Sequence, residues 1–130
     1  MYSTRIPRRR KVSKYRATPT VEDGIRFDSK AEAAFYGKLK LEKLCGVINY
    51  IIRQVSFDLP GGYKHRVDFM TVTNCMGGRQ LNCFYEVKGR DLSLGKMKRK
   101  QVEDLYGIKI HVMRAVYSKG KIIGFEEVEQ

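Results

Sequence analysis

Apolar residues recur along this chain with two different periods, and each change of period marks an element. Around Glu32, the helical neighbours at three, four and seven positions on are Phe35, Tyr36 and Leu39, the stripe of a helix that covers a core. Ser29, three residues before Glu32, gives that helix the form of a capping box at its start, and Gly46 supplies its stop. The helix is expected from about Lys30 to Leu44. A second is expected from about Ser93 to Tyr106, on the spacing of Leu94, Met97, Val102, Leu105 and Tyr106, with Gly107 closing it. Between the two helices the pattern is that of strands. Val47 to Leu59 is rich in Ile, Val, Tyr and Phe, and its second half reads as a strand. Pro60-Gly61-Gly62 is a turn, so Tyr63 to Thr73 returns as the partner strand. Asn74 to Arg79, holding Gly77-Gly78, forms the next loop, and Gln80 to Lys88 is a third strand. Ile108 to Ala115 is a fourth, and Val116 to Val128, broken at Lys119-Gly120, forms a small terminal hairpin. Ahead of these, Thr18-Pro19-Thr20 and Asp23-Gly24 mark turns, and Ile25-Arg26-Phe27 is a short extended lead-in.

Three consecutive strands joined by short loops make an antiparallel meander. A helix between the third and fourth strands makes that pair parallel. The expected fold class is therefore α/β, a mixed central sheet flanked by helices. At 130 residues the chain forms one domain, able to bury a core without disulfides or metal staples. Residues 21–130 are assigned to it and residues 1–20 to a basic N-terminal arm. No apolar run reaches the length of a membrane span, and the N-terminus lacks the apolar stretch of a signal peptide. Its Arg-rich, acid-free start has the composition of an organelle transit peptide, a reading ranked second to a cytoplasmic location.

Charge changes the picture more than length does. The 26 Lys and Arg against 14 Asp and Glu give a net charge of +12, which calls for an anionic partner, nucleic acid first among them. A membrane surface fits poorly because no strongly amphipathic basic helix stands out. Arg5, Arg8, Arg9, Arg10, Lys11, Lys14 and Arg16 form a block without an acid, read as a phosphate-gripping arm in preference to an idle solvated tail. Lys96, Lys98, Arg99 and Lys100, expected on the exposed side of the second helix, and Arg90 just before it, are the other candidate DNA contacts. Cys45, Cys75 and Cys83 are odd in number and lack zinc spacing, which suits a reducing cytoplasm.

The candidate chemistry sits on two of the strands. Asp68 lies between Val67 and Phe69, and Glu86 and Lys88 lie two apart in Phe84-Tyr85-Glu86-Val87-Lys88-Gly89, so those two side chains emerge on one side. Carboxylates on neighbouring apolar strands are costly unless something uses their charge, and a hard divalent cation does so. The plainer reading is a pair of solvent-facing charges with an ordinary Glu86–Lys88 ion pair. Glu32 has two readings as well: a cap partner reaching back to Ser29, or a carboxylate turned inward to a metal or water.

The order of elements and motifs resembles the common core of the PD-(D/E)XK nuclease superfamily, a restriction-endonuclease-like α-β-β-β-α-β arrangement. More narrowly, it resembles the small phage-encoded endonucleases of the Holliday-junction-resolvase type. The resemblance is carried by Gly24-Ile25-Arg26-Phe27-Asp28-Ser29-Lys30-Ala31-Glu32, Gln54-Val55-Ser56-Phe57-Asp58-Leu59, Tyr63-Lys64 with Val67-Asp68-Phe69, and Glu86-Val87-Lys88-Gly89. It departs from the superfamily pattern at Val67, where proline is usual. The resemblance implies that Asp68, Glu86 and the Val87 carbonyl hold Mg²⁺, or Mn²⁺ in its place, with Glu32 completing the shell. It implies that Lys88 orients or helps deprotonate the attacking water. It further implies an endonuclease that acts on four-way DNA junctions as a homodimer, leaves 5′-phosphate ends, needs no organic cofactor, and works in the host cytoplasm if phage-encoded. A nuclease of the same fold acting on other DNA, and a non-catalytic basic nucleic-acid-binding module, remain the alternatives. His65, an odd number of residues from Asp68, is expected to face the opposite side, and His111 to be a core or surface residue. Gln54 faces an undetermined side.

Overall fold

Asp23 (φ 51°) and Gly24 (φ 72°) both adopt the left-handed conformation that a two-residue hairpin turn requires. In this computed structural model, which describes residues 18–89 and 93–129, the turn joins β1 (Thr20–Glu22) to β2 (Ile25–Phe27). Helix α1 (Lys30–Leu44) follows within the limits its caps dictate. The Ser29 hydroxyl accepts the Glu32 amide at 3.1 Å. At the other end Gly46 (φ 76°) lets its own amide reach the Lys43 carbonyl while the Val47 amide reaches that of Glu42, a complete Schellman stop.

The strands β3 (Tyr50–Leu59), β4 (Tyr63–Asn74), β5 (Gln80–Val87), β6 (Ile110–Ser118) and β7 (Lys121–Glu127) form one mixed sheet in sequence order. Only the β5–β6 pair is parallel, as a helical connection requires. The terminal hairpin is larger than expected. Strand β6 itself runs on to Ser118, turns through Lys119 (φ 50°) and Gly120 (φ 75°), and pairs with β7 as the fifth strand of the central sheet.

Two apolar cores lie on opposite faces of this sheet. The pair Phe69–Tyr85 faces α1, where Phe27, Phe35 and Leu39 are buried with it; the adjoining pair Met70–Phe84 faces helix α2 (Ser93–Tyr106), packed with Val102 and Ile110. Each buried Phe or Leu stabilises the fold by roughly 1.5–3 kcal/mol.

The period of two breaks at Gln54 on β3 and Asp68 on β4. Ile51, Arg53 and Phe69 lie on the α1 side, yet Val55, Phe57 and Val67 lie on the α2 side, although all carry odd numbers. The register passes from Arg53–Phe69 to Val55–Val67 with no pair between, and Gln54 has φ 56°. The two strands swap faces together at this point.

Helix α2 corrects another expectation. Its limits are as predicted, but it is rotated: Arg99 and Val102 are fully buried, while Leu94, Met97 and Leu105 stay more than half exposed. Arg99 is thus not on the solvent side with Lys96 and Lys100. Its charge meets a buried carboxylate from the sheet, and turning the helix the other way would leave that buried carboxylate without this partner, at a cost that favours the observed orientation.

Candidate active site

The β4–β5 ladder makes its last pair at Phe69–Tyr85. Beyond it the strands diverge, and the Asp68 carboxylate takes the place of the next ladder bond by accepting the Val87 amide at 2.9 Å. This fork carries Asp68 against Glu86-Val87-Lys88, as neighbouring strands in an antiparallel meander should. Helix α1 supplies Glu32, 6% exposed, whose carboxylate turns inward. Its Oε1 accepts the Gln54 side-chain amide at 3.3 Å and lies 3.9 Å from the Arg53 guanidinium. The capping-box geometry is therefore divided: Ser29 caps the Glu32 amide, and the Glu32 side chain is left for the site.

Both carboxylates have raised pKa values, each chiefly through burial. Burial lifts Glu32 to about 7, with the charges of Asp68 and Asp28 adding to the effect and Arg53 and Lys88 opposing it. Asp68 is also raised, chiefly by burial; the Val87 amide and Lys88 work against that, and Glu86 and Asp28 reinforce it. Sequence reasoning did not single out Asp28, an exposed carboxylate that both of these groups feel.

Glu86 is fully buried, and partners already engage both its oxygens. His65 Nε2 hydrogen-bonds Oε1, and Arg99 Nη1 donates to Oε2 at 3.1 Å. Lys88 Nζ is 3.8 Å from Oε2, so the expected same-face pair with Lys88 is present as the loosest of the three contacts. Period-two spacing had set His65 apart from the site. The face swap at Gln54 and Asp68 invalidates that spacing and brings His65 onto Glu86. A signal for both partners was present in the sequence, since a glutamate between Phe84 and Val87 on a central strand needs a buried cation or donor. His111 is elsewhere, bonded through Nδ1 to Glu127 at 2.6 Å.

Glu32 and Asp68 suit a hard divalent cation. Burial costs both carboxylates, as their raised pKa values show, and a bound cation would reverse that cost. Among the described residues no three His, Cys, Asp or Glu side chains are already gathered as a metal cage, and Glu86 can contribute only by sharing an oxygen with its present partners. Lys96 and Lys100 are exposed on α2, and Lys98 lies over the Tyr63 ring at 5.7 Å. Arg5, Arg8, Arg9, Arg10, Lys11, Lys14, Arg16 and Arg90 lie outside the described residues.

A family described as "Protein of unknown function (DUF1064)" matches residues 12–120. The chain belongs to that family. Its match takes in α1, the fork between β4 and β5, and α2, so Glu32, Asp68, Glu86, Lys88 and Arg99 all fall within the family's span. No curated protein and no solved structure matches the chain. Among the described residues no helix is long and apolar enough to cross a membrane.

Proposed function

We propose that the protein is a Mg²⁺-dependent DNA endonuclease that hydrolyses phosphodiester bonds. The observation that carries this reading is the convergence of Glu32 and Asp68 at the β4–β5 fork, with Lys88 alongside, in a chain of net charge +12. Asp68 and Glu32 would hold the ion, aided by the Val87 main-chain carbonyl and a shared oxygen of Glu86. When bound, such an ion makes water a better nucleophile and offsets negative charge on the phosphate. The protein's own groups do the rest. Gln54 and the Val87 amide fix the two carboxylates, His65 and Arg99 anchor Glu86, and Lys88, partly exposed, orients the attacking water and faces the phosphate. Basic residues on α2 and in the N-terminal segment would draw in the DNA backbone.

The substrate is proposed to be branched DNA, a four-way junction cut by a homodimer, on the strength of the resemblance to phage-type resolvases. The test is to incubate labelled four-way junction, linear duplex and single strand side by side with the protein, with and without Mg²⁺. Nicking of the junction in Mg²⁺ alone, falling about 10²-fold or more in Lys88→Ala, is the expected result. Salt-sensitive binding with no cleavage in any divalent ion would leave only a nucleic-acid-binding module.

A further inference from the structure

Among the described residues, three that are not glycine have positive φ: Asp23, Gln54 and Lys119. Asp23 and Lys119 each precede a glycine in a two-residue hairpin turn, where that conformation is required. Gln54 is different. It lies in the middle of a ten-residue strand, and glutamine is not among the side chains that tolerate the left-handed region well. Backbone strain of this kind persists where the surroundings enforce it, and it clusters at functional sites. What the strain achieves here is visible. The face swap at Gln54 stands opposite Asp68 in the β3–β4 register, and the Gln54 side chain reaches Oε1 of Glu32.

We propose that Gln54 is the positioning residue of the candidate metal centre: its left-handed backbone turns β3 so that its side-chain amide holds Glu32 toward Asp68 across the sheet. The inference rests on the metal-dependent reading above and deepens it. A regular residue at position 54 would continue the alternation of β3 and leave the Glu32 oxygen with only the distant Arg53 guanidinium. An amide suits the task because it donates to a carboxylate without adding a charge that would compete with a bound cation.

Two variants separate backbone from side chain. Gln54→Gly accepts the left-handed conformation without strain and lacks the amide; Gln54→Asn tolerates that conformation but is one methylene too short. Mn²⁺ binding to the full chain, measured by isothermal titration calorimetry, is expected to weaken about 10–100-fold in both, the usual loss when a group orienting a metal ligand is removed. Melting in EDTA is expected to occur no lower than in the parent, because the backbone change relieves strain. The double variant Glu32→Gln with Gln54→Gly is expected to bind Mn²⁺ no more weakly than Glu32→Gln alone, since Gln54 acts through Glu32. Unchanged Mn²⁺ affinity in either single variant, a large fall in melting temperature accompanying the lost affinity, or additive losses in the double variant would each overturn the proposal. The fate of the nuclease reading is scored separately. If the parent binds Mn²⁺ and the Gln54 variants bind it more weakly, but no DNA is cut, the positioning role stands and the nuclease reading falls. If the parent binds no Mn²⁺, both fall.

Discussion

Glu32 keeps its proton up to about pH 7 in the folded protein because it is buried and faces the charge of Asp68, whereas its ordinary pKa is 4.5. Between those values the unfolded chain has released this proton and the folded chain still holds it. The folded state binds more protons, so in the absence of metal its stability falls as pH rises from about 4.5 to 7, and the penalty is complete above that window. Asp68, raised chiefly by burial, pushes in the same direction. Urea denaturation in EDTA between about pH 5 and pH 8 should therefore show a downward slope that Glu32→Gln flattens, leaving the variant at least as stable as the parent at the alkaline end. An identical slope in parent and variant would show that Glu32 is not the group responsible. Glu32 was legible in the sequence only as an even choice between cap and site. The short-range pattern Ser29…Glu32 describes the backbone amide correctly, but it says nothing of where the carboxylate goes once Gln54 offers it a donor.

The elements were far easier to read than the faces they present. The limits of α1 and α2 follow from local chemistry that the sequence displays directly: a Ser29 cap, glycines at the ends, apolar spacing between them. The rotation of α2 depends instead on a contact between residues thirteen apart in sequence, Glu86 on β5 and Arg99, and no local period encodes it. His65 was hidden for a related reason, since a single strained residue on the neighbouring strand reverses the parity on which strand reasoning depends. These three side chains make Glu86 a structural member as well as a candidate ligand, because they tie α2 and β4 to β5 through one carboxylate. Glu86→Ala removes the carboxylate that the buried Arg99 guanidinium and the His65 imidazole share, and removing one partner from such a cluster costs about 3–5 kcal/mol. Lys88→Ala, at a side chain 38% exposed, should change stability by less than about 1 kcal/mol. Urea melts of the two variants check this directly. Equal, small losses would mean that the Glu86 cluster does not hold the helix in place.

On the scale of the whole molecule, the sequence predicts the mixed sheet with a helix on each face because strand order and crossover follow from loop lengths, while the fifth strand escaped notice because β6 and its hairpin were read as separate pieces. Net charge is the one global property that needs no fold to be read, and its consequence is quantitative. If the protein binds DNA through its phosphates, the logarithm of affinity falls linearly with the logarithm of salt concentration, and each lysine that neutralises a phosphate contributes about one unit of slope. The fold refines which cations count. Arg99 drops out of the tally because it is sealed against Glu86, whereas Lys96 and Lys100 remain exposed on α2 and Lys98 remains beside Tyr63. Replacing Lys96, Lys98 and Lys100 together with alanine, a good helix former at all three positions, should leave melting nearly unchanged while reducing the salt slope by about two to three units. Fluorescence anisotropy of a labelled four-way junction across a salt series measures that slope. An unchanged value would move the DNA-binding surface off α2 and onto cations elsewhere in the chain, separating the phosphate grip from the helix that Arg99 fastens to the candidate active site.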